Sequence, residues 1–301
     1  MIYTVTCNPA LDYILQVPHL QKAGINRSER ETLTYGGKGV NVSAVLARLS
    51  VPTRALGFTA GLMGEKLKSL LSAEGIECDF VDLPAGETRI NVKIRAQQEL
   101  DINASGPSVS TWDVERLLQK LDSLRADDML VLAGTIPRGL PQDLYLQMLK
   151  RVDGRGVLTV VDAQGELLRN TLPHRPFLIK PNHHELGALF GKELHTTDEI
   201  LACARRLQTE GARNVLVSRA ESGAILVDET GVCHTVGTVS GPLRNSVGCG
   251  DSMVAGFLAG YLKHKDYAYA LRLGAACGNA TAFSDTLATA GEIEAVLSRF
   301  P

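Results

Sequence analysis

The sequence lacks paired cysteines and long apolar runs. Its six cysteines are scattered along 301 residues without any CxxC spacing, so neither a disulfide framework nor a zinc site is indicated. We therefore expect reduced thiols in a cytoplasmic protein. No apolar run approaches the roughly 20 residues that a membrane span needs. Because the first residues carry no basic leader with a cleavage site, we expect neither a membrane protein nor an exported one.

The chain also lacks an excess of either charge. Lys and Arg total 31 against 33 for Asp and Glu, so the formal net charge is −2. Such a balance gives no long-range attraction to nucleic acid or to an anionic membrane, and we expect neither as a partner. An anionic substrate would have to be held by a local cluster of cations. The composition, with 45% apolar and 21% charged residues, is typical of a globular enzyme.

From about residue 50 onward, short aliphatic or β-branched runs alternate with amphipathic stretches. This alternation predicts a parallel sheet covered by helices on both faces, with ligands beyond the carboxyl ends of the strands. The predicted strands are residues 53–58, 129–132, 157–161, 177–179 and 215–218. The predicted helices are residues 64–74, 112–124, 142–151 and 197–210.

Two segments depart from this alternation. Residues 13–19 are strand-like without a following helix, and residues 89–95 (RINVKIR) alternate apolar with basic or amide side chains. We expect one domain, residues 1–301, with a small antiparallel flap inserted at about residues 12–35 and 88–104. The basic face of RINVKIR could contact an anion or could be the solvated face of an edge strand, and its spacing leaves both readings open.

A glycine-rich stretch lies near the C-terminus, where residues 245–260 read NSVGCGDSMVAGFLAG. Apolar residues at helical spacing follow Gly248 and Gly250, which predicts a helix that begins near Cys249 or Gly250. The first N–H groups of such a helix have no partner within it and favour an anion. Asp251 beside them is either an ordinary helix cap or a base that accepts a proton from a hydroxyl attacking phosphorus.

Two further segments place polar residues at predicted helix starts. In YGGKGVNVS (residues 35–43), Lys38 suits a phosphate and Asn41 a sugar hydroxyl, unless the segment is only a tight turn with a solvated lysine. In KPNHHEL (residues 180–186), Asn182 and Glu185 share one helix face. This pair either holds water on a hydrated Mg²⁺ or forms a capping box.

Together these segments resemble the PfkB sugar-kinase family, which is ribokinase-like. The motifs NPALD, GGKGVN, KPNHHE and NSVGCGDSMVAG occur in the order typical of that family, and the resemblance covers essentially the whole chain. It implies an α/β fold, a three-layer α/β/α sandwich with a mostly parallel central sheet and a small inserted β lid. Residues 88–94 (TRINVKI) are most similar to the branch of the family that phosphorylates fructose 1-phosphate.

The resemblance implies transfer of a phosphoryl group from ATP, with Mg²⁺, to the 6-hydroxyl of fructose 1-phosphate, giving fructose 1,6-bisphosphate. Tagatose 6-phosphate and fructose 6-phosphate are alternative substrates within the family. Outside enzymes, the alternative is a sugar-phosphate-binding regulator that has kept the fold. Since lids in this family often pair, the resemblance also implies a homodimer through the lid.

A role follows from the resemblance for each residue that matches a family motif. Asp251 matches the catalytic base, and the neighbouring Gly248, Cys249 and Gly250 match an anion hole. The residues matched to substrate contacts are Asp12, Arg27, Gly37, Lys38, Asn41 and Arg89. The residues matched to nucleotide contacts are Lys180, Asn182, Glu185, Ser218, Gly223, Gly248, Gly250 and Asn279. Within the second group, Asn182 and Glu185 are expected to contact Mg²⁺ through water.

The sequence departs from the family pattern in three places, of which the turn Gly134-Thr135-Ile136-Pro137, in place of SGS-x-P, is a conservative change and two bear on the predicted contacts. The anion hole usually has alanine where Cys249 stands, and a thiol at a helix N-terminus is expected to have a lowered pKa. This predicts an activity that is reversibly sensitive to thiol reagents. The nucleotide loop usually has glycine where Ala220 stands, which leaves the contacts of that loop open.

Overall fold

Fourteen strands and ten α-helices form within residues 1–21 and 23–300, the part of the chain that this computed structural model describes. The strands are β1 (Ile2–Thr6), β2 (Ala10–Gln16), β3 (Arg30–Gly36), β4 (Thr53–Ala60), β5 (Glu77–Cys78), β6 (Val81–Leu83), β7 (Arg89–Arg95), β8 (Leu100–Asn103), β9 (Met129–Ala133), β10 (Leu158–Asp162), β11 (Leu178–Ile179), β12 (Asn214–Ser218), β13 (Ala224–Val227) and β14 (Cys233–Val236). The helices are α1 (Lys38–Arg48), α2 (Gly61–Ala73), α3 (Thr111–Lys120), α4 (Leu144–Val152), α5 (Gly165–Arg169), α6 (His183–Leu189), α7 (Thr197–Glu210), α8 (Cys249–His264), α9 (Tyr267–Phe283) and α10 (Ala290–Leu297).

Ten strands form one large sheet in the order β14-β13-β12-β11-β10-β9-β1-β4-β5, with β6 also paired to β4. Every neighbouring pair of strands in this sheet is parallel except two. The two antiparallel pairs are β12–β13 and β13–β14. The runs IYTVT of β1 and MLVLA of β9 are buried along their whole length, as strands covered on both faces require. The predicted, mostly parallel sheet is confirmed, although the predicted strands do not include β1, β5, β6, β13 or β14.

Helices cover both faces of the large sheet and give the predicted three layers. On one face, a core of buried aliphatic side chains joins the sheet to α3, α4, α6 and α7. On the other face, α1, α8, α9 and α10 bury a second core against it. Helix α8 is buried at every residue from Asp251 to Gly260, as expected of a helix that is apolar on all sides. The position of Asp251 is therefore fixed by packing.

Helix boundaries follow local signals where those signals are strong. The predicted helix at 197–210 coincides with α7, which begins with a capping box between Thr196 and Glu199. The helices predicted at 64–74, 112–124 and 142–151 correspond to α2, α3 and α4, with ends that differ by up to four residues. Within the described residues, no helix is both long enough and apolar enough to span a membrane.

A second, small sheet of four strands in the order β3-β2-β7-β8 stands apart from the large one. The pairs β2–β3 and β7–β8 are antiparallel, but β2 and β7 are parallel, so the predicted purely antiparallel flap is wrong. The strands β2 and β7 directly follow β1 and β6, which are both parallel to β4. The edge-strand reading of RINVKIR is also wrong, since this segment is β7 and lies between β2 and β8.

Candidate active site

A cleft of about 820 Å³ separates the carboxyl ends of the large-sheet strands from one face of the small sheet. Five parallel strands contribute a residue at or just beyond their carboxyl ends. These residues are Thr6, Ala133, Asp162, Lys180 and Ser218. The cleft therefore lies where open α/β sheets bind their ligands.

Most of the predicted site residues meet in this cleft. Those that line it are Asp12, Gly37, Lys38, Asn41, Arg89, Lys180, Asn182, Glu185, Ser218, Gly248, Gly250 and Asp251. They come from six separate stretches of the sequence, so the fold brings together residues that are up to 239 positions apart. Their individual roles remain predictions.

Four predicted residues do not line the cleft. Arg27 is exposed in the segment between β2 and β3, and Gly223 lies in the turn before β13. Asn279 donates from Nδ2 to the backbone oxygen of Ala275 in its own helix, at 2.8 Å. The thiol of Cys249 donates to the backbone oxygen of Asn245, at 3.4 Å. The contacts proposed for these four residues remain predictions.

Asp251 lies in the first turn of α8, which begins at Cys249 as predicted. The reading of Asp251 as an ordinary cap is wrong, because Gly248 is the N-cap residue and no side chain caps this helix. Gly248 has φ 82°, a left-handed conformation that favours glycine. The Asp251 carboxylate is 5% exposed and accepts a hydrogen bond from Asn41 Nδ2 at 2.8 Å. It is thus a buried carboxylate with one fixed partner.

Burial, together with the charge of Asp162, raises the pKa of Asp251 from 3.8 to about 6. The hydrogen bond from Asn41 and the charges of Lys38 and Lys180 act in the opposite direction and keep the rise from being larger. A base works best when its pKa lies near the pH at which it operates. The surroundings of Asp251 therefore suit a general base.

The start of α8 also offers backbone donors beside this carboxylate. The first hydrogen bond within the helix runs from the Ser252 N–H to the Gly248 oxygen, at 2.8 Å. The N–H groups of Cys249, Gly250 and Asp251 come before it, where a helix has no internal acceptor for them. Helix starts of this kind bind phosphate groups.

Asp162 is the most prominent cleft residue that is missing from the predicted set. It ends β10, is 1% exposed, and lies 3.4 Å from Lys38 Nζ and 3.6 Å from Lys180 Nζ. Its Oδ1 accepts no hydrogen bond within residues 1–21 and 23–300. Burial works to lower the pKa of Lys38, but Asp162, Asp251 and Glu185 outweigh it and the pKa is raised. The usable signal in the sequence is an acidic residue directly after the buried run LTVV.

Asn182 and Glu185 form the capping box that the sequence allows. Asn182 Oδ1 accepts from the Glu185 N–H and Glu185 Oε2 accepts from the Asn182 N–H, both at 2.8 Å. Gln164 Nε2 donates to Glu185 Oε1 at 2.5 Å. The capping reading is therefore confirmed, and because both residues also line the cleft, the box holds their oxygens at its wall.

The small sheet contributes a second group of charges. Asp12 is 6% exposed and accepts from Asn91 Nδ2 at 2.8 Å, while Lys93 Nζ lies 2.6 Å from its Oδ2. Arg89 donates from Nε to the backbone oxygen of Asn8 at 3.1 Å. A Cβ atom on Gly36 would lie 2.7 Å from the Asp12 carboxylate, so glycine there leaves room for it. Asn91 and Lys93 also line the cleft and are not among the predicted site residues.

The two departures from the family pattern that bear on the predicted contacts have different outcomes. The prediction of a lowered thiol pKa at Cys249 is wrong, because burial and then the charge of Asp251 raise this pKa to about 11. These effects outweigh the favourable helix start. Ala220 adopts φ 48°, a left-handed conformation in which a glycine would be unstrained. The chain therefore keeps the turn of that loop despite the alanine.

The chain is similar to known proteins over nearly its whole length. A model of the pfkB family carbohydrate kinases matches residues 6–290. The 1-phosphofructokinase of Bacillus subtilis (strain 168) is 43% identical over 297 residues, covering 99% of this chain and 97% of that protein. The D-tagatose-1-phosphate kinase of Bacillus licheniformis is 33% identical, covering 99% and 98%. Phosphofructokinase-2 from Escherichia coli, solved in complex with substrates and products, superposes with a TM-score of 0.93 at 27% identity, covering 99% and 98%.

Proposed function

The chain belongs to the pfkB family of carbohydrate kinases, and we infer that it transfers the terminal phosphoryl group of ATP to the 6-hydroxyl of fructose 1-phosphate. The products are ADP and fructose 1,6-bisphosphate. The observation that carries this function is Asp251, a buried carboxylate with a pKa raised to about 6, beside N–H groups at a helix start that have no acceptor within the helix. The 43% identity to a 1-phosphofructokinase over nearly the whole chain supports the choice of substrate.

In the transfer step, Asp251 accepts the proton of the attacking hydroxyl. The sugar oxygen forms a bond to the γ-phosphorus while the bond from that phosphorus to the bridging oxygen of ADP breaks. The N–H groups at the start of α8 stabilise the charge on the moving phosphoryl group, and loss of one such donor typically costs ~3–4 kcal/mol. Lys38 and Lys180 add positive charge on the same side of the cleft.

The remaining site residues are assigned to one of the two substrates according to the side of the cleft on which they lie. We assign Asp12, Gly37, Asn41 and Arg89 to the sugar phosphate, since they lie on or next to the small sheet. Ser218 and Lys180 end or follow the large-sheet strands on the other side and are assigned to the nucleotide. Arg27, Gly223 and Asn279 lie outside the lining of the cleft, and we keep Arg27 as a proposed contact of the sugar phosphate and Gly223 and Asn279 as proposed contacts of the nucleotide.

The cleft also fits Mg²⁺, the usual partner of nucleotide phosphates. Within the described part of the chain, no three acidic, histidine or cysteine side chains form a cluster that could hold a metal by themselves. This agrees with Mg²⁺, which keeps several waters and takes one or two carboxylates plus phosphate oxygens. We propose that Glu185 and Asn182 hold it through water, where it would neutralise phosphate charge. If Glu185→Gln did not raise the Mg²⁺ concentration required for half-maximal rate, this assignment would be wrong.

The outer face of the small sheet supports a homodimer. In register, all four strands contribute apolar side chains to this face, among them Leu33, Val92 and Ile102. Leu33 is 38% exposed, Leu100 44% and Ile102 55%, an apolar area of the kind that marks an interface. We propose that a second copy of the chain covers it. Light scattering should show a dimer that Ile102→Glu converts to a monomer, whereas a monomeric wild type would contradict the proposal.

The substrate is tested by following ADP release with four sugar phosphates at matched concentrations. These are fructose 1-phosphate, tagatose 1-phosphate, fructose 6-phosphate and tagatose 6-phosphate. We expect the highest kcat/KM for fructose 1-phosphate. Preference for another ketose phosphate would overturn the substrate but leave the transfer step intact, and absence of ADP release with all four would overturn the reaction.

A further inference from the structure

Three polar side chains of the small sheet are buried against one another beside the cleft. Asp12, Asn91 and Lys93 are 6%, 7% and 8% exposed, and all three line the cleft. A lysine is almost never buried to this extent unless it is paired. On β7 the usual pattern is inverted, because Ile90, Val92 and Ile94 of that strand are more exposed than Asn91 and Lys93.

The contacts among these three residues fix the orientation of each. Lys93 Nζ lies 2.6 Å from Asp12 Oδ2, and Asn91 Nδ2 donates to Asp12 Oδ1 at 2.8 Å. Asp12 and Asn91 are directly paired across β2 and β7, so their side chains leave the sheet side by side. Both oxygens of Asp12 are thus held from two directions.

One acceptor is left over. Because the amide nitrogen of Asn91 faces the carboxylate, its Oδ1 faces the other way and accepts no hydrogen bond from residues 1–21 or 23–300. Buried acceptors are nearly always paired, and leaving one unpaired is unfavourable. An acceptor that lines a substrate cleft in this state is suited to a donor on the ligand, and a sugar hydroxyl is such a donor.

We propose that Asn91 and Lys93 are positioning residues that, with Asp12, recognise the secondary hydroxyls of the sugar. Asn91 Oδ1 accepts from a hydroxyl at C3 or C4. Lys93 holds the Asp12 carboxylate so that it accepts from the neighbouring hydroxyl, and it cancels the charge that would otherwise repel a phosphorylated sugar. This inference rests on the proposed function, since it takes a ketose 1-phosphate as the ligand.

The contact at Asn91 is tested by removing the hydroxyl and the acceptor separately. Wild type and Asn91→Leu are compared on fructose 1-phosphate, its 3-deoxy and 4-deoxy analogues, and tagatose 1-phosphate, which differs from fructose 1-phosphate only at C4. In the wild type, each deoxy analogue should lose about 10- to 100-fold in kcat/KM, since a buried acceptor is left unpaired, and one of the two ratios reports the contact at Asn91. In Asn91→Leu that ratio should shrink towards one, and an unchanged ratio would overturn the contact.

The part assigned to Lys93 is tested by a double-mutant cycle with Asp12. Lys93→Met should raise KM for fructose 1-phosphate by about 10- to 100-fold with kcat and the KM for ATP little changed, and Lys93→Arg should recover part of the loss. In an Asp12→Asn background, Lys93→Met should add little. Fully additive losses would show that Lys93 acts independently of Asp12, which overturns this part.

A matched control separates these effects from general loss of an ion pair. Lys68 lies 2.8 Å from Asp82 and does not line the cleft, so Lys68→Met should leave both KM values unchanged. If a thermal melt shows that Lys93→Met does not fold, the proposal is still decided by Lys93→Arg and by the comparison of Asn91→Leu with wild type on the deoxy analogues. A wild type that phosphorylates no ketose 1-phosphate overturns both function and inference, whereas an active wild type with unchanged ratios overturns the inference alone.

Discussion

The large-sheet edge and the small sheet place charges in the same cleft in different ways. At the large-sheet edge, Asp162 lies between two lysines and near Asp251, and burial together with Asp162 raises the pKa of Asp251. On the small sheet, Asp12 is held by a single lysine and a single amide. The first arrangement tunes a proton acceptor, and the second fixes the geometry of hydrogen bonds. We therefore assign chemistry to the large-sheet edge and recognition of the sugar to the small sheet.

The same difference has an energetic consequence. The pKa of Asp251 is higher in the folded chain than in the unfolded one, so its charged form is disfavoured by folding. Its contribution to stability is therefore most favourable at low pH and is lost as pH rises from about 4 to about 6. Above that range the Asp251 carboxylate is ionised and its burial lowers the free energy of unfolding, as expected where function requires a buried charge.

The largest effect is expected from Asp251→Asn. Loss of the base should lower kcat by roughly 10²–10⁴, while the neutral amide should make the fold more stable by up to about 3 kcal/mol near pH 8. At low pH the gain should disappear, because the wild-type carboxyl is then also neutral. Steady-state rates and urea unfolding at both pH values measure these effects. Near-normal turnover of Asp251→Asn would show that the large-sheet edge does not supply the catalytic base.

A smaller effect is expected from Arg89→Ala on the small sheet. Because Arg89 is proposed to contact the phosphate of the sugar, its loss should raise KM for fructose 1-phosphate about 10- to 100-fold, with kcat nearly unchanged. Arg95→Ala is the control, since Arg95 lies on the same strand, pairs with Asp101 at 2.9 Å and does not line the cleft. A fall in kcat without a change in KM would mean that the small sheet takes part in chemistry.

The smallest effect is expected at Cys249, on the border between the two regions. With its pKa raised to about 11, this thiol is almost entirely protonated near pH 7.5, and the thiolate is the form that reacts. Iodoacetamide should therefore inactivate wild type and Cys249→Ala at the same slow rate. Fast inactivation that Cys249→Ala abolishes would show that the helix start, and not burial, sets the pKa.

Local signals in the sequence were sufficient for five parallel strands of the large sheet, β4 and β9 to β12, and for the helix that carries Asp251. The capping box at Thr196 and the apolar spacing after Gly250 depend on neighbours in the chain, and both helices begin where these signals indicate. The position of Asp251 follows from its place in the first turn. Its raised pKa does not follow, since Asp162 is 89 positions away in the chain and acts through the fold.

The features that the sequence did not reveal depend on tertiary contacts. The parallel pairing of β2 with β7 joins segments separated by more than 70 residues. Asp162 follows the run LTVV, but its place among the charges of the site depends on Lys38 and Lys180, which reach it only in the fold. The pKa of Cys249 was predicted with the wrong sign because a helix start is visible in the sequence, whereas the burial of its thiol is not.

The most direct test of the division between the two regions is the pH dependence of kcat in the wild type and in Asp162→Asn, with saturating fructose 1-phosphate and ATP. In the wild type, kcat should fall as pH decreases through about 6, because Asp251 must be ionised to accept a proton. In Asp162→Asn a neighbouring negative charge is gone, so the fall should move to lower pH even if the maximal rate is reduced. A fall at the same pH in both proteins would contradict the account.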